Sequence, residues 1–164
     1  MTGYDLRLSV NRAGLAVASD WWAALDYPTV RDHAAKLLGY PNLITTRQTM
    51  YDIALRPWRI ARFHEVRPIQ DMVEIAGEWK RDPIDWCNRS MNAAIGFAAM
   101  EGAKSIDLYG ADFAGQQDFD GNADKEAITN RRPDRWETER AIIATATELF
   151  ASRGIVLRRM NGTA

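Results

Sequence analysis

Residues 90–121 constrain this chain more than any other stretch. Ser90-Met-Asn-Ala-Ala-Ile-Gly-Phe-Ala-Ala-Met-Glu-Gly102 is rich in small and apolar residues. Met91, Ala94, Ile95, Ala98 and Ala99 follow the i, i+3, i+4, i+7, i+8 spacing of one buried helical face. The spacing predicts a helix over 88–102, closed by Gly102 as a left-handed cap. Ile106–Tyr109 then reads as a strand, and Gly110-Ala-Asp112 opens an acidic loop. Helix, glycine turn, strand and polar loop is the order of an open α/β sheet. Small residues let such a helix approach the sheet closely. Ligands of these sheets sit in the crevice outside the carboxyl ends of the strands, which puts Asp112 where chemistry is expected.

The remaining elements fit the same plan. Residues 6–10, 21–25, 43–46, 60–66 and 155–157 read as strands, and Pro28 suits the first turn of a helix running to about Leu38. Trp21 and Trp22 are adjacent, so in a strand they face opposite sides. Asp134-Arg-Trp-Glu137 resembles a capping box, and Ile142, Ile143, Ala146, Leu149 and Phe150 form the stripe of the helix that follows. Residues 47–85 carry no clear period apart from 60–66. The expectation is a single α/β domain over 1–164: a three-layer, Rossmann-like open sheet, mostly parallel, with helices on both faces.

Composition excludes several classes. The chain has 164 residues, a formal net charge of -1 and one cysteine, Cys87. That length allows a real core. The charge gives no nucleic-acid footprint, and one cysteine excludes an internal disulfide or a multi-cysteine zinc site. No run reaches the roughly 18 apolar residues of a membrane span, and residues 1–5 lack the pattern of a signal peptide. The expected location is cytoplasmic. There is no Gly-x-Gly-x-x-Gly motif and no phosphate loop ending in Gly-Lys-Ser/Thr.

Three strands are followed by a polar residue: Val10 by Asn11, Leu25 by Asp26, and Gly110-Ala111 by Asp112. Parallel pairing would gather all three along one rim. Asn11 suits phosphate or a base, Asp26 a ribose hydroxyl or a metal, and Asp112 a metal or a general base. The competing reading is that each closes a turn through its own side chain. Asp118, Asp120 and Asp124 add hard oxygen donors to the acidic loop, the chemistry of Mg²⁺ or Mn²⁺; a solvated acidic loop is the alternative. Arg131, Arg132 and Arg135 flank a predicted helix start, where guanidinium groups and the helix terminus both favour phosphate; pairing with the acidic loop is the alternative. Ser90 caps the small-residue helix, and that terminus also suits a phosphate. His33 reads as a boundary residue of the first helix, and His64 as a weak general-base candidate. Cys87 reads as a buried thiol.

Ser-Val-Asn11-Arg-Ala, Trp-Trp-Ala-Ala-Leu-Asp26, Gly-Ala-Lys-Ser-Ile-Asp-Leu-Tyr-Gly-Ala-Asp112-Phe, Arg135-Trp-Glu and a late Gly-Ile-Val occur in that order. The order resembles the superfamily of 6-hydroxymethylpterin diphosphokinase-like proteins, flagellin-modifying motility accessory factors and bacterial sialyltransferases. Short bacteriophage proteins look similar too. The resemblance spans most of residues 5–160 and rests on short motifs. It implies a Rossmann-like sheet that binds a nucleotide and transfers a sugar or a diphosphate, with Asn11, Asp26 and Asp112 at the matching strand ends. Family members begin with a strand and a Gly-Pro-Ser-Leu loop that touches nucleotide phosphate, and this chain starts after that point.

The expected function is a nucleotide-dependent, glycosyltransferase-like transferase acting on a nucleotide-activated small molecule, with Mg²⁺ or Mn²⁺. The alternatives are a non-catalytic nucleotide- or protein-binding module and an ATP-dependent diphosphokinase. A homo-oligomer is left open.

Overall fold

The structure is a computed structural model, and it describes residues 6–53, 58–67, 89–111 and 135–160. Two compact units divide the chain at Ala103 and Lys104.

The first unit is built on a four-stranded parallel sheet in the order β1 (Leu8–Val10), β2 (Trp21–Ala23), β3 (Asn42–Thr45), β4 (Phe63–Glu65). Leu8 pairs with Trp21, Trp21 with Asn42, and Leu43 with Phe63. Parallel sheets are covered on both faces, so their strands carry apolar residues in both directions. The adjacent tryptophans show this. Trp22 has no exposed surface and packs with Ala24, Val30, Ala34, Leu37, Leu43 and Ile53 on one face. Trp21 points to the other face, where Ala23, Leu25, Ile44 and Val66 meet Ala93, Ala94 and Phe97.

Helices α1 (Tyr27–His33) and α2 (Arg47–Ile53) supply the first layer through Val30 and Ile53, and α3 (Ser90–Met100) supplies the other. The unit is therefore the three-layer, Rossmann-like arrangement expected, and all its described strand pairs are parallel. Pro28 lies in the first turn of α1, where its missing N–H costs nothing. The helix gives way to a 3₁₀ turn at Ala34–Lys36.

The link from β1 to β2 is short for a parallel crossover. It uses a 3₁₀ turn, Asn11–Leu15, in place of a helix. The sequence reads only as a turn-like cluster there. Gly14 makes the close passage possible: a Cβ at this position would lie 2.8 Å from Leu37 Cδ2 and 3.0 Å from Trp22 Cδ1. The Gly14 carbonyl also accepts the Leu38 N–H at 3.1 Å. Helix α2 has no apolar period to announce it. Its residues are mostly polar, and only Thr49 and Ile53 are buried among those it turns inward.

Helix α3 departs from the single buried face expected. It is buried from Asn92 through Ala98 without a break, and Ala93, Ala94 and Phe97 contact the sheet. The reason lies in composition: small and apolar residues surround the helix, so no polar stripe defines an outside. Gly102 ends it with φ +86°, and the Ala103 N–H reaches back to the Ala98 carbonyl at 3.1 Å.

The second unit holds α4 (Arg135–Ser152) and a parallel pair, β5 (Ser105–Tyr109) and β6 (Val156–Met160). Helix α4 packs on β6, and Ile142, Ile143, Ala146 and Phe150 are buried as the stripe predicts. Asp107 and Arg158 lie directly opposite across the strands and form an ion pair at 2.5 Å. Among the described residues, no helix is long and apolar enough to cross a membrane.

Candidate functional site

The carboxyl ends of β1, β2 and β3 form one rim of the first unit's sheet, and the backbone just beyond β2 is held tightly there. The Ala24 N–H donates to the Ile44 carbonyl at 3.1 Å, and the Ala24 carbonyl accepts from Thr45 Oγ1 at 2.6 Å. The Leu25 N–H donates to Ser90 Oγ at 3.2 Å, and the Leu25 carbonyl accepts from Thr49 Oγ1 at 2.8 Å. Every backbone polar group of this dipeptide is thus satisfied, three by buried hydroxyls of β3, α2 and α3 and the fourth by the strand backbone of β3. The next residue is Asp26.

Asp26 is the N-cap residue of α1, with an extended backbone at φ -91°, ψ 130°. Its carboxylate makes no cap hydrogen bond. It is exposed and has no side-chain partner among the described residues. A rigid loop therefore presents an unengaged carboxylate at the end of β2.

Asn11 directly follows β1. It has φ +47°, the one non-glycine residue in the left-handed region among those described. Asparagine tolerates that region better than most residues. The indole N–H of buried Trp22 donates to the Asn11 carbonyl at 2.6 Å, which pins the backbone. The Asn11 side chain is exposed and, like that of Asp26, engages none of the described residues. The turn-closing role that competes with function at both positions is thus not what their side chains do.

Ser90 is not the N-cap. The cap position falls on Arg89, which makes no side-chain cap bond, and Ser90 is the first helical residue. Its hydroxyl is spent on the Leu25 N–H, a partner distant in sequence that no local capping pattern reveals. This contact still sets the α3 N-terminus at the same rim as Asp26.

Asp112, Asp118, Asp120, Asp124, Arg131 and Arg132 lie outside the described residues, as do Cys87 and Asp134. Arg135 begins α4, and β5 belongs to the second unit, so Asn11 and Asp26 share a rim without a described third member. Among the described residues, no three His, Cys, Asp or Glu side chains converge as a metal site. His64 sits on the sheet face under α3, edge-on to Phe97 with ring centroids 4.7 Å apart and to Trp21 at 6.4 Å. That is a packing position away from the rim. His33 is partly buried, and burial followed by the nearby Arg12 charge pushes its pKa below the ordinary histidine value.

Sequence reasoning missed Thr45 and Thr49. Both close the strand-end network. A Thr-Thr pair ending an apolar strand was the available signal. In the second unit, a groove of about 320 Å³ lies between α4 and β6, with Ile143, Ala144 and Leu157 in its wall and Arg140 and Arg159 at its sides. Among the described residues, none of the predicted site residues lines it.

Compared with family models, with curated proteins and with solved structures, the chain gives no match.

Proposed function

We propose that the first unit binds a nucleotide at the carboxyl rim of its sheet and that the chain is a nucleotide-dependent transferase, glycosyltransferase-like in type. The observation that carries this reading is the pair of exposed, unengaged side chains, Asn11 and Asp26, held by well-bonded backbone at the ends of neighbouring parallel strands. Open α/β sheets bind ligands at this edge.

In this reading Asp26, an acceptor-only group, takes the ribose hydroxyls. Asn11 offers an amide donor and acceptor to the base or to phosphate. Ser90 holds the α3 terminus beside them. Arg131, Arg132 and Arg135 as phosphate ligands, and Asp112, Asp118 and Asp120 as holders of Mg²⁺ or Mn²⁺, stay expectations from the sequence, separate from the rim of the first unit. The resemblance to nucleotide-using transferases supports the reaction type, and the position of Asn11 and Asp26 at the rim supports their choice as binding residues.

The test is a thermal-shift panel of CMP, CDP, UDP, GDP and ATP at millimolar concentration, with and without Mg²⁺. A stabilising shift with one or more is expected. Asp26→Asn and Asn11→Gly are expected to abolish it while leaving the unliganded melting temperature close to wild type. Glycine is chosen at position 11 because it keeps the left-handed backbone while removing the side chain. No shift with any nucleotide would refute the reading. Asp112→Asn then separates chemistry from binding: a transferase loses turnover and keeps its nucleotide.

A further inference from the structure

We propose that Trp22 is the positioning residue of this rim: its indole N–H holds Asn11 in the left-handed region and so fixes where the Asn11 side chain stands. The effect on binding rests on the nucleotide reading above.

Asn11 has φ +47°, and among the described residues it is the one non-glycine with a positive φ. Asparagine enters this region more easily than most residues, but glycine enters it without steric cost. A residue kept there persists only where its surroundings over-determine it, and such residues cluster at binding and catalytic sites. The Asn11 side chain is exposed and engages none of the described residues, so none of their contacts offsets the strain. A side chain kept at that cost, facing solvent, points to a partner from outside the chain.

The contacts that hold it converge on one ring. Trp22 has no exposed surface and lies in the core cluster with Val30, Leu37 and Leu43. An indole carries one donor and no acceptor, and a buried indole N–H takes a partner. Here the partner is the Asn11 carbonyl, at 2.6 Å. Further along the same turn the Gly14 backbone passes over the ring: a Cβ there would lie 3.0 Å from Trp22 Cδ1 and 3.1 Å from Nε1. The Gly14 carbonyl accepts the Leu38 N–H at 3.1 Å, and the Leu37 carbonyl accepts from Arg59 Nη1 at 3.0 Å. The 3₁₀ crossover Asn11–Leu15 is thus moulded on a fixed indole. With its carbonyl turned in to that indole, Asn11 leaves its side-chain amide exposed at the rim in one preset position. A group ordered before the ligand arrives loses less freedom on binding. Phenylalanine would fill much of the same core space, but only an indole makes this bond.

The experiment removes the donor and keeps a ring. Trp22→Phe does this with a smaller ring. A second variant, with β-(3-benzothienyl)alanine at position 22, keeps the outline of the indole and exchanges N–H for sulfur; it carries the test if Trp22→Phe fails to fold. The first readout is the intraresidue HN–Hα nuclear Overhauser effect of Asn11, which is strongest at positive φ because the two protons are then nearly eclipsed. The second is affinity for CMP, CDP, UDP, GDP and ATP by calorimetric titration. Wild type is expected to show the strong effect. Both variants are expected to lose it while the amide signals of β3 and α2 stay in place. Both are also expected to bind the preferred nucleotide about tenfold more weakly, the size of one hydrogen bond to the ligand. A role in packing alone would lower the melting temperature and leave Asn11 left-handed. The inference is overturned if wild type lacks the strong effect, if the variants keep it, or if they lose it and bind as tightly as wild type. If no nucleotide binds wild type, the nucleotide reading fails and the Overhauser effect alone decides: its loss in the benzothienylalanine variant supports Trp22 as the positioning residue, and its persistence overturns it.

Discussion

Ser90→Ala removes one oxygen from the point where α3 meets the end of β2, and its consequence can be worked from the contacts. Ser90 Oγ is the only acceptor recorded for the Leu25 N–H among the described residues, at 3.2 Å, and both residues are buried. Without it the N–H is left in an apolar setting with no water to replace the hydroxyl. An orphaned buried donor costs about 1–3 kcal/mol. Alanine recovers up to roughly 0.5 kcal/mol through better helix propensity. The net expectation is a loss of about 1–2 kcal/mol. Urea unfolding followed by circular dichroism should show a lower midpoint with an unchanged slope, since the surface exposed on unfolding is the same. Amide exchange at Leu25 should also quicken relative to its neighbours Ala23 and Ala24. A variant as stable as wild type, with unchanged Leu25 exchange, would refute the claim that a side-chain bond ties α3 to the rim.

Two further outcomes follow from other contacts. Gly14→Ala forces a methyl against Leu37 and Trp22, both buried and one of them hydrogen-bonded to Asn11, so it should destabilise by about 1–3 kcal/mol by chemical denaturation. His33 resists protonation in the folded chain because burial, reinforced by Arg12, lowers its pKa below 6.5, while the unfolded chain takes up the proton at the ordinary value. The unfolded state then binds more protons as pH falls below that value, so the stabilising contribution is complete at neutral pH and is lost on acidification. Melting curves between pH 7.5 and 5 should fall less steeply for His33→Gln than for wild type. Parallel curves would contradict the assignment.

The parts of the fold that were legible in the sequence are those with a strong period or a strong punctuation mark. The β5 strand, the Gly102 turn and the stripe of α4 are placed by apolar spacing, and the opposed faces of Trp21 and Trp22 follow from strand geometry. Helix α2 was not legible because Thr49 hides its buried face behind a hydroxyl that bonds the Leu25 carbonyl. The 3₁₀ crossover was not legible because its fit depends on Leu37, a residue far along the chain. At the site, Asn11 and Asp26 were readable from their position after apolar strands. The reason their side chains stay unengaged was not readable: it lies in hydroxyls from three other elements and in the indole of Trp22, which satisfy the surrounding backbone instead. Ser90 was assigned a local cap because local hydrogen bonding is all that spacing can express. Its actual partner lies 65 residues away.

The central claim concerns one rim, and a crystal structure grown with the nucleoside diphosphate that stabilises the chain most would test it directly. The account predicts ligand density against the ends of β1 and β2, with ribose oxygens within about 3.2 Å of the Asp26 carboxylate and the Asn11 amide in contact with base or phosphate. Ligand bound elsewhere on the chain, with Asn11 and Asp26 still facing solvent, would contradict it.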